Sequence, residues 1–577
     1  MTGWPSSVLI RLRQCICILV AGCLAEATQE TAPPNFGDGI SHGNRLSQGF
    51  DTPSENRNAK RSAIFVPSSP PLPPRVRPLP SERKFRSDSV ESLVTFMEGN
   101  LANEEVAVLF SNCFPNTLDT TVAQASSNDT FIITGDIPAL WLRDSLNQVW
   151  PYLPLVRDDP PLLDLFSGLL KRHLRSVLTD PYANAFNRGP TGEGHQTDTR
   201  TPPMRPEVFE GKFELDSLAS VLRLSWGLWA QVRGRQEDFL APENEPVALL
   251  WLQAVELILD TVEKQQKSSA EQEKEGATPY IFKRSQEGCD YPRADANRTG
   301  MVRSAFRPSD DQTKFDFLVP SNAMMAVELG HVAEMGRHGT ALFYGDVERR
   351  MLLLSERSKK LGEEIRGGID DFASVGTGGG RRLAFEVDGF GDANEMDDAN
   401  LPSLLALPLL GFESSLYKAT RDFVLSGANP YFFSGSVGSG VGSPHTPRDY
   451  IWPLGVVTEA LTSENETEIF ECLRTLLVSA RETGLMHESF HKDDPGKFTR
   501  SHFAWANSAF GSLVLDLVVR FPQRMLKEKR ETDGGWRHLV PPRSVSGYLE
   551  HVRQQLRGEG WGYSETRGAP LDVLVVE

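Results

Sequence analysis

From Asp88 onward, apolar residues recur at roughly helical spacing. Leu93, Phe96, Met97, Leu101, Val106 and Phe110 begin the pattern, which lays one apolar stripe along a helix. The same spacing predicts helices at Leu162–Leu178, Lys212–Ala230, Pro246–Glu263, Val319–Met335, Asp346–Ile365, Leu401–Leu410, Ser415–Ser426, Ile451–Leu461, Thr467–Ala480 and Phe503–Arg520. Few stretches alternate as strands do; Phe131–Thr134 is one. The helices are joined by Gly- and Pro-rich loops that often exceed ten residues, and long loops in a compact domain usually carry function. No fixed-period repeat is visible. The pattern is that of an all-α fold. An α/α toroid, with inner and outer helices alternating and loops crowding one rim, suits it, and an ordinary large helical domain suits it nearly as well.

Both ends depart from this pattern. Arg11 and Arg13 precede an apolar run from Cys15 to Ala25, and Ala25-Glu26-Ala27 offers a small-x-small cleavage site. Residues 1–27 therefore read as a secretory signal peptide, with an uncleaved anchor as the other reading. Residues 28–87, with the Pro cluster Val66–Pro80, read as a disordered or semi-rigid stalk. Residues 88–522 form the folded domain, with Lys264–Ala277 a solvated insert, and residues 523–577 a polar C-terminal extension. Outside the signal, Cys113, Cys289 and Cys472 remain, which permits at most one disulfide. Asn128, Asn297 and Asn465 begin glycosylation sequons. The protein is thus expected in the secretory pathway: secreted, in the Golgi or at the cell surface. The 577 residues carry a net charge of −17, which argues against nucleic acid or an anionic membrane as partner. No obligate protein partner is implied.

Candidate chemistry lies in a few short stretches. Trp141-Leu142-Arg143-Asp144-Ser145 places an aromatic beside an ion-pairing dipeptide, a combination suited to covering a sugar face and bonding its hydroxyls; a helix cap with a structural ion pair is the plainer reading. The polar loop Asn184–Arg205 contains His195. Arg303–Asp311 offers Arg307, Asp310 and Asp311, where one Asp could act as an acid while the other holds the loop. Gly442–Pro447 presents His445. The stretch Gly484–Asp494 offers His487 and Glu488. Its His487-Glu488-Ser489-Phe490-His491 also matches the H-E-x-x-H zinc pattern, which needs a continuous helix. Gly484 and the turn at Asp493–Gly496 leave too little room for one, so a loop presenting Glu488 as a base is preferred. The Gly-rich runs Gly376–Gly380 and Gly435–Gly442 lack the Lys-Ser/Thr of a phosphate loop.

Taken together, TGDIPALWLRDSLNQ, GHQTDT with KFELDSL, SAFRPSDD, VGSPHTPRDYIWP and HESFHKDDPGKFTRSHFAWANS resemble glycoside hydrolase family 125, from about residue 90 to 520 and in order. That family comprises exo-acting α-1,6-mannosidases with an (α/α)6 barrel. The resemblance implies Asp310 or Asp311 as general acid and Glu488 as general base. It implies an inverting reaction without metal or cofactor, in which two carboxyls stand roughly 6.5–9.5 Å apart to admit a water. It places Arg143, Asp144, His445 and His487 around the sugar, with Trp141, His195 and Arg307 also counted as substrate-binding. The expected substrate is an α-1,6-linked manno-oligosaccharide, an N-glycan or a mannan. The family usually carries Asn where this chain has His491, so the zinc pattern reads as accidental. A zinc metallopeptidase and a catalytically inactive mannoside-binding protein are the competing classes.

Overall fold

The apolar stripes become helices whose ends are fixed by polar side chains. Asp159 ties two of these starts together. One carboxylate oxygen accepts from the Leu162 amide at 3.0 Å, capping α4 (Pro160–Thr179). The other accepts from the Ser87 hydroxyl and the Ser89 amide, at 2.7 and 3.1 Å. Ser87 in turn caps α1 (Asp88–Asn100), so each cap satisfies amides the helix itself leaves open. The computed structural model describes residues 71–276, 278–284 and 288–527. From Leu72 on these belong to one compact unit, and of a second, Cys23–Pro71, only Pro71 is described. The signal segment, the first part of the stalk and residues 528–577 lie outside the described residues.

Two kinds of helix are distinguishable by burial. α5 (Leu215–Val232) and α12 (Ala504–Arg520) bury nearly every side chain, polar ones included. The long α8 (Asp346–Phe372) buries one face only. A helix covered on all sides belongs to an interior layer, and a one-faced helix packs outside it. The contacts agree. α3 (Leu142–Val149) touches α5, which touches α7 (Val319–Leu342). α7 touches the short α9 (Leu407–Leu410), α9 touches α10 (Pro453–Thr462), α10 touches α12, and α12 returns to α3. Against these lie α2 (Glu104–Cys113), α4, α8 and α11 (Glu466–Ala480), and α6 (Glu245–Gln265) packs on α4 and α8. The approach of α12 to the residues after α2 leaves no room for a methyl: a Cβ on Gly511 would stand 2.7 Å from the Phe114 ring.

Short antiparallel sheets organise the loops, and sequence periodicity did not announce them. Leu140–Trp141 pairs with Ala185–Phe186, which pairs with Val208–Glu210. Phe317–Leu318 pairs with Glu386–Val387, and Tyr450–Ile451 with Ser489–His491. In each case the first strand runs directly into an interior helix: α3, α7 or α10. The sheets therefore clamp the loops at the N-terminal ends of interior helices, and the polar loop Asn184–Arg205 is partly strand.

Several boundaries are corrected. Leu72–Ser87 is packed rather than a free stalk. Val76 donates to Asn112 at 3.2 Å and Pro74 accepts from it at 2.9 Å, while Arg77 bridges Asp119 at 2.7 Å and Glu91. The insert at Lys264–Ala277 is not wholly solvated: α6 runs to Gln265, a second helix spans Ser269–Lys274, and Gln265, Gln266 and Gln272 are buried. Within Leu401–Leu410 only the last four residues are helical. The preceding turn is held by Asp397, which accepts from the amides of Leu404 and Leu405, both at 2.9 Å. Pro522–Met525 continues past α12 as a short helix, and Leu526 pairs with Leu101. Cys113, Cys289 and Cys472 are unbridged.

Candidate active site

Adjacent carboxylates ordinarily diverge on an extended chain, and here the backbone makes them diverge further. Asp310 has φ +62°, a left-handed conformation that only the surrounding structure can hold in a non-glycine residue. A tight loop holds it: the Asp310 amide donates to the Arg307 carbonyl at 2.9 Å, and the Arg307 amide to the Asp311 carbonyl at 2.8 Å. Arg307 is itself anchored to the buried Glu386 at 2.6 Å. As a result the two Asp side chains meet opposite environments.

Asp310 is buried. Its Oδ1 accepts from Asn184 at 2.9 Å and lies 3.8 Å from Arg143, and its Oδ2 has no hydrogen-bond partner. Burial, with the charges of Glu214 and Glu210 behind it, pushes this carboxyl well above the usual range. Asp311 accepts from Ser309 at 2.9 Å and faces His445 at 3.4 Å. Burial acts to raise it, but His445, Arg307 and Ser309 prevail and hold it below its ordinary value. Asp311 in turn raises His445 against the opposing effect of burial. One Asp is thus kept neutral and the other ionised by their partners.

Beneath Asp310 lies a buried charge cluster at the start of α3 and α5. Arg143 donates to Glu214 at 2.5 Å and Asp216 at 2.7 Å, and stands 4.0 Å from Asp144. Its side chain is 0% exposed, so it compensates carboxylates from below. Asp144 is pushed up to about 7 by burial, which Arg143 and Arg500 oppose; both its oxygens are buried without a hydrogen-bond partner.

The second half is built on α12 and the sheet that receives Ser489–His491. Asn507 on α12 accepts from the Met486 amide at 2.9 Å and donates to its carbonyl at 3.2 Å, fixing the residue two before Glu488. Glu488 is buried, with Oε1 3.5 Å from Arg500 Nη1 and no hydrogen-bond partner. Arg500 has φ +44°, is locked to Asp136 through Nε at 3.0 Å and a second contact through Nη2, and lies 4.8 Å above the Phe503 ring. The halves meet through Arg143, Asp144 and Arg500: the Arg500 charge acts on Asp144, and the Glu488 charge acts on His445.

Other expected residues fall in different places. His487 stacks flat on Phe498 at 3.7 Å and shares a 2.9 Å hydrogen bond with Thr483; burial lowers it to about 4, so it is neutral. His491 packs edge-on against Tyr450 at 5.5 Å and accepts from the Asp493 amide at 3.2 Å. The H-E-x-x-H segment therefore enters a strand and not a helix, and each imidazole is committed to its own neighbours, so the zinc reading fails on geometry. Trp141 has no open face for a sugar: it is fully buried, its ring 5.5 Å from Phe209. His195 is partly exposed, 3.7 Å from Glu210. Of the sequons, Asn128 and Asn465 are exposed, whereas Asn297 is half-buried and donates to the Gly389 carbonyl at 3.1 Å.

Comparison with known proteins decides the family. Residues 103–515 match the metal-independent alpha-mannosidase family GH125. The chain belongs to GH125. A Schizosaccharomyces pombe protein known as meiotically up-regulated gene 157 protein is 40% identical over 489 residues, covering 80% of this chain and 92% of its own length. A metal-independent α-mannosidase of Streptococcus pneumoniae, solved in a non-productive complex with α-1,6-mannobiose, is 37% identical. It superposes with a TM-score of 0.65 over 74% of this chain and 96% of its own. The GH125 assignment makes the protein a glycoside hydrolase acting as a mannosidase.

The sequence reading passed over several residues of this GH125 site. Asn184, Glu210, Glu214 and Asp216 surround Asp310 and Arg143, yet only the bare ELD of KFELDSL could have signalled them. Arg500 and Asp136 were silent because their pairing joins positions 364 residues apart. Asp398 was unmarked as well. It is buried near Arg307 and Asp311, accepts from Asn400 at 2.7 Å through Oδ1, and has no hydrogen-bond partner at Oδ2.

Proposed function

We propose that this protein is an exo-acting, inverting α-1,6-mannosidase in which Asp310 is the general acid and Glu488 the general base. The observation that carries the reading is the contrast between neighbours: burial and Glu214 push Asp310 well above the ordinary carboxyl range and its buried Oδ2 makes no hydrogen bond, while His445, at 3.4 Å, helps hold Asp311 below its ordinary value. A carboxyl kept neutral by burial and by surrounding carboxylates can protonate a leaving oxygen near neutral pH. Asp310 gives its proton to O6 as the C1–O6 bond breaks. Glu488 removes a proton from water, and the water oxygen bonds to C1 from the opposite face. The ring of contacts from α3 through α12 supports closure into an (α/α)6 barrel, with the site at the N-terminal ends of its inner helices. Asp144, Asp398 and His445 then address mannose hydroxyls. N-glycans or mannans carrying terminal α-1,6-mannose are the proposed substrates, and the N-terminal segment supports a secretory location.

Proton NMR of α-1,6-mannobiose hydrolysis by the full-length protein, with EDTA present, tests the reading. The β-anomer of mannose is expected first. Early α-mannose would overturn the inverting mechanism, and absence of turnover would overturn the substrate.

A further inference from the structure

We infer that Arg500 holds the attacking water. The inference rests on the proposed roles of Asp310 and Glu488 and adds a residue to them. Four observations converge on it. Arg500 is one of three non-glycine residues with left-handed backbone among those described, and another is Asp310; such strain persists where the surroundings enforce it and concentrates at functional sites. Asp136 fixes two of its nitrogens and Phe503 covers its plane, so its direction is set. The remaining nitrogen, Nη1, is buried without a hydrogen-bond partner. It stands 3.5 Å from Glu488 Oε1, which also lacks one.

A buried guanidinium N–H left open is costly unless something accepts from it. At 3.5 Å, Nη1 and Oε1 are too far apart for a good direct bond, yet they converge on shared space. A water there accepts from Arg500 Nη1 and donates to Glu488 Oε1. Its remaining lone pair is then directed by two fixed partners rather than one. In the reaction that oxygen bonds to C1, its proton passes to Glu488, the C1–O6 bond breaks, and O6 takes the Asp310 proton. Arg500 gives up no proton. It orients the water, and as hydroxide character develops it donates to a growing negative charge, an interaction strongest at the transition state.

The test uses full-length Arg500→Lys and Arg500→Ala with two substrates, α-1,6-mannobiose and α-mannosyl fluoride, alongside Glu488→Gln and Asp310→Asn. Fluoride departs without a proton, so the acid is dispensable for it while the water is not. Arg500→Lys is expected to lose on the order of 100-fold in kcat on both substrates, the size typical of one preorganised donor, with KM changed little. Added guanidinium is expected to restore part of the Arg500→Ala rate. Circular dichroism and mannobiose affinity confirm that the variants fold and bind. A loss confined to KM would make Arg500 a sugar contact and overturn the inference. So would a loss that vanishes on the fluoride, or kcat within threefold of the parent. If instead Glu488→Gln keeps its rate, the proposed base falls, whatever Arg500 does.

Discussion

Arg143→Met tests how the buried cluster is held together. The substitution keeps much of the side chain's volume and removes the cation shared by Glu214, Asp216, Asp144 and Asp310, which lie at 2.5, 2.7, 4.0 and 3.8 Å. Breaking a buried ion pair by deleting one partner costs about 3–5 kcal/mol, and with a side chain at 0% exposure there is no solvent screening to discount. The cost is expected to depend on pH. Burial already raises Asp144 to about 7 and raises Asp216, and in both Arg143 is the strongest opposing influence. Without it, both rise further. The unfolded chain releases these protons near the ordinary Asp value of about 3.9 in either protein. Across pH 7–8 the folded variant therefore still binds protons that the unfolded chain has lost, and its stability falls with rising pH by up to ~1.4 kcal/mol per unit per group. In the parent, Asp144 is half protonated at about pH 7, so its contribution falls at half that slope there and levels off by about pH 8. The expected destabilisation is about 3 kcal/mol at pH 5.5 and about 5 at pH 8, read by urea unfolding followed through tryptophan fluorescence. A cost under about 1 kcal/mol at pH 8, or one constant between the two pH values, would refute the reasoning.

Two more outcomes follow from the same geometry. Asp310→Asn is expected to lose about a thousandfold on mannobiose yet keep α-mannosyl fluoride hydrolysis within roughly tenfold, consistent with a lost general acid; the same pattern in Asp311→Asn instead would reverse the assignment. Arg77→Ala leaves the buried Asp119 carboxylate with only Arg83, 3.6 Å away. It is expected to cost about 2–4 kcal/mol in urea unfolding, and an unchanged midpoint would show that Leu72–Ser87 does not brace the fold.

The helices were legible because their apolar faces repeat locally. α4, α5, α6 and α11 begin and end within three residues of the spacing-based boundaries. Of the short strands only the one at Phe131–Ile132 was legible, since most of the others span two or three residues and carry no period. The strap at Leu72–Ser87 was misread for a related reason: proline-rich sequence looks alike whether it is free or, as here, held by Asn112 and Asp119. Asp310, Asp311 and Glu488 were visible as carboxylates with aromatic and cationic neighbours, but the split between the two Asp was not. That difference depends on burial and on Glu214, Glu210 and His445, each far away in sequence. Trp141 was misjudged because an aromatic beside a charged pair looks the same whether its ring faces a ligand or Phe209.

The left-handed backbone at Asp310 and Arg500 sets this protein's durability against its usefulness. Both positions ask an ordinary residue to adopt a shape that glycine takes without penalty. Glycine at 310 would also remove a carboxyl that faces Glu214 and Glu210. Selection for heat tolerance alone would therefore drift toward glycine at 310 and arrive at a sturdier, idle molecule, whereas at 500 the pairing with Asp136 outweighs the strain and keeps the arginine. A search for a hardier form of this protein has to score turnover alongside melting, or it will discard the carboxyl on which the proposed chemistry depends.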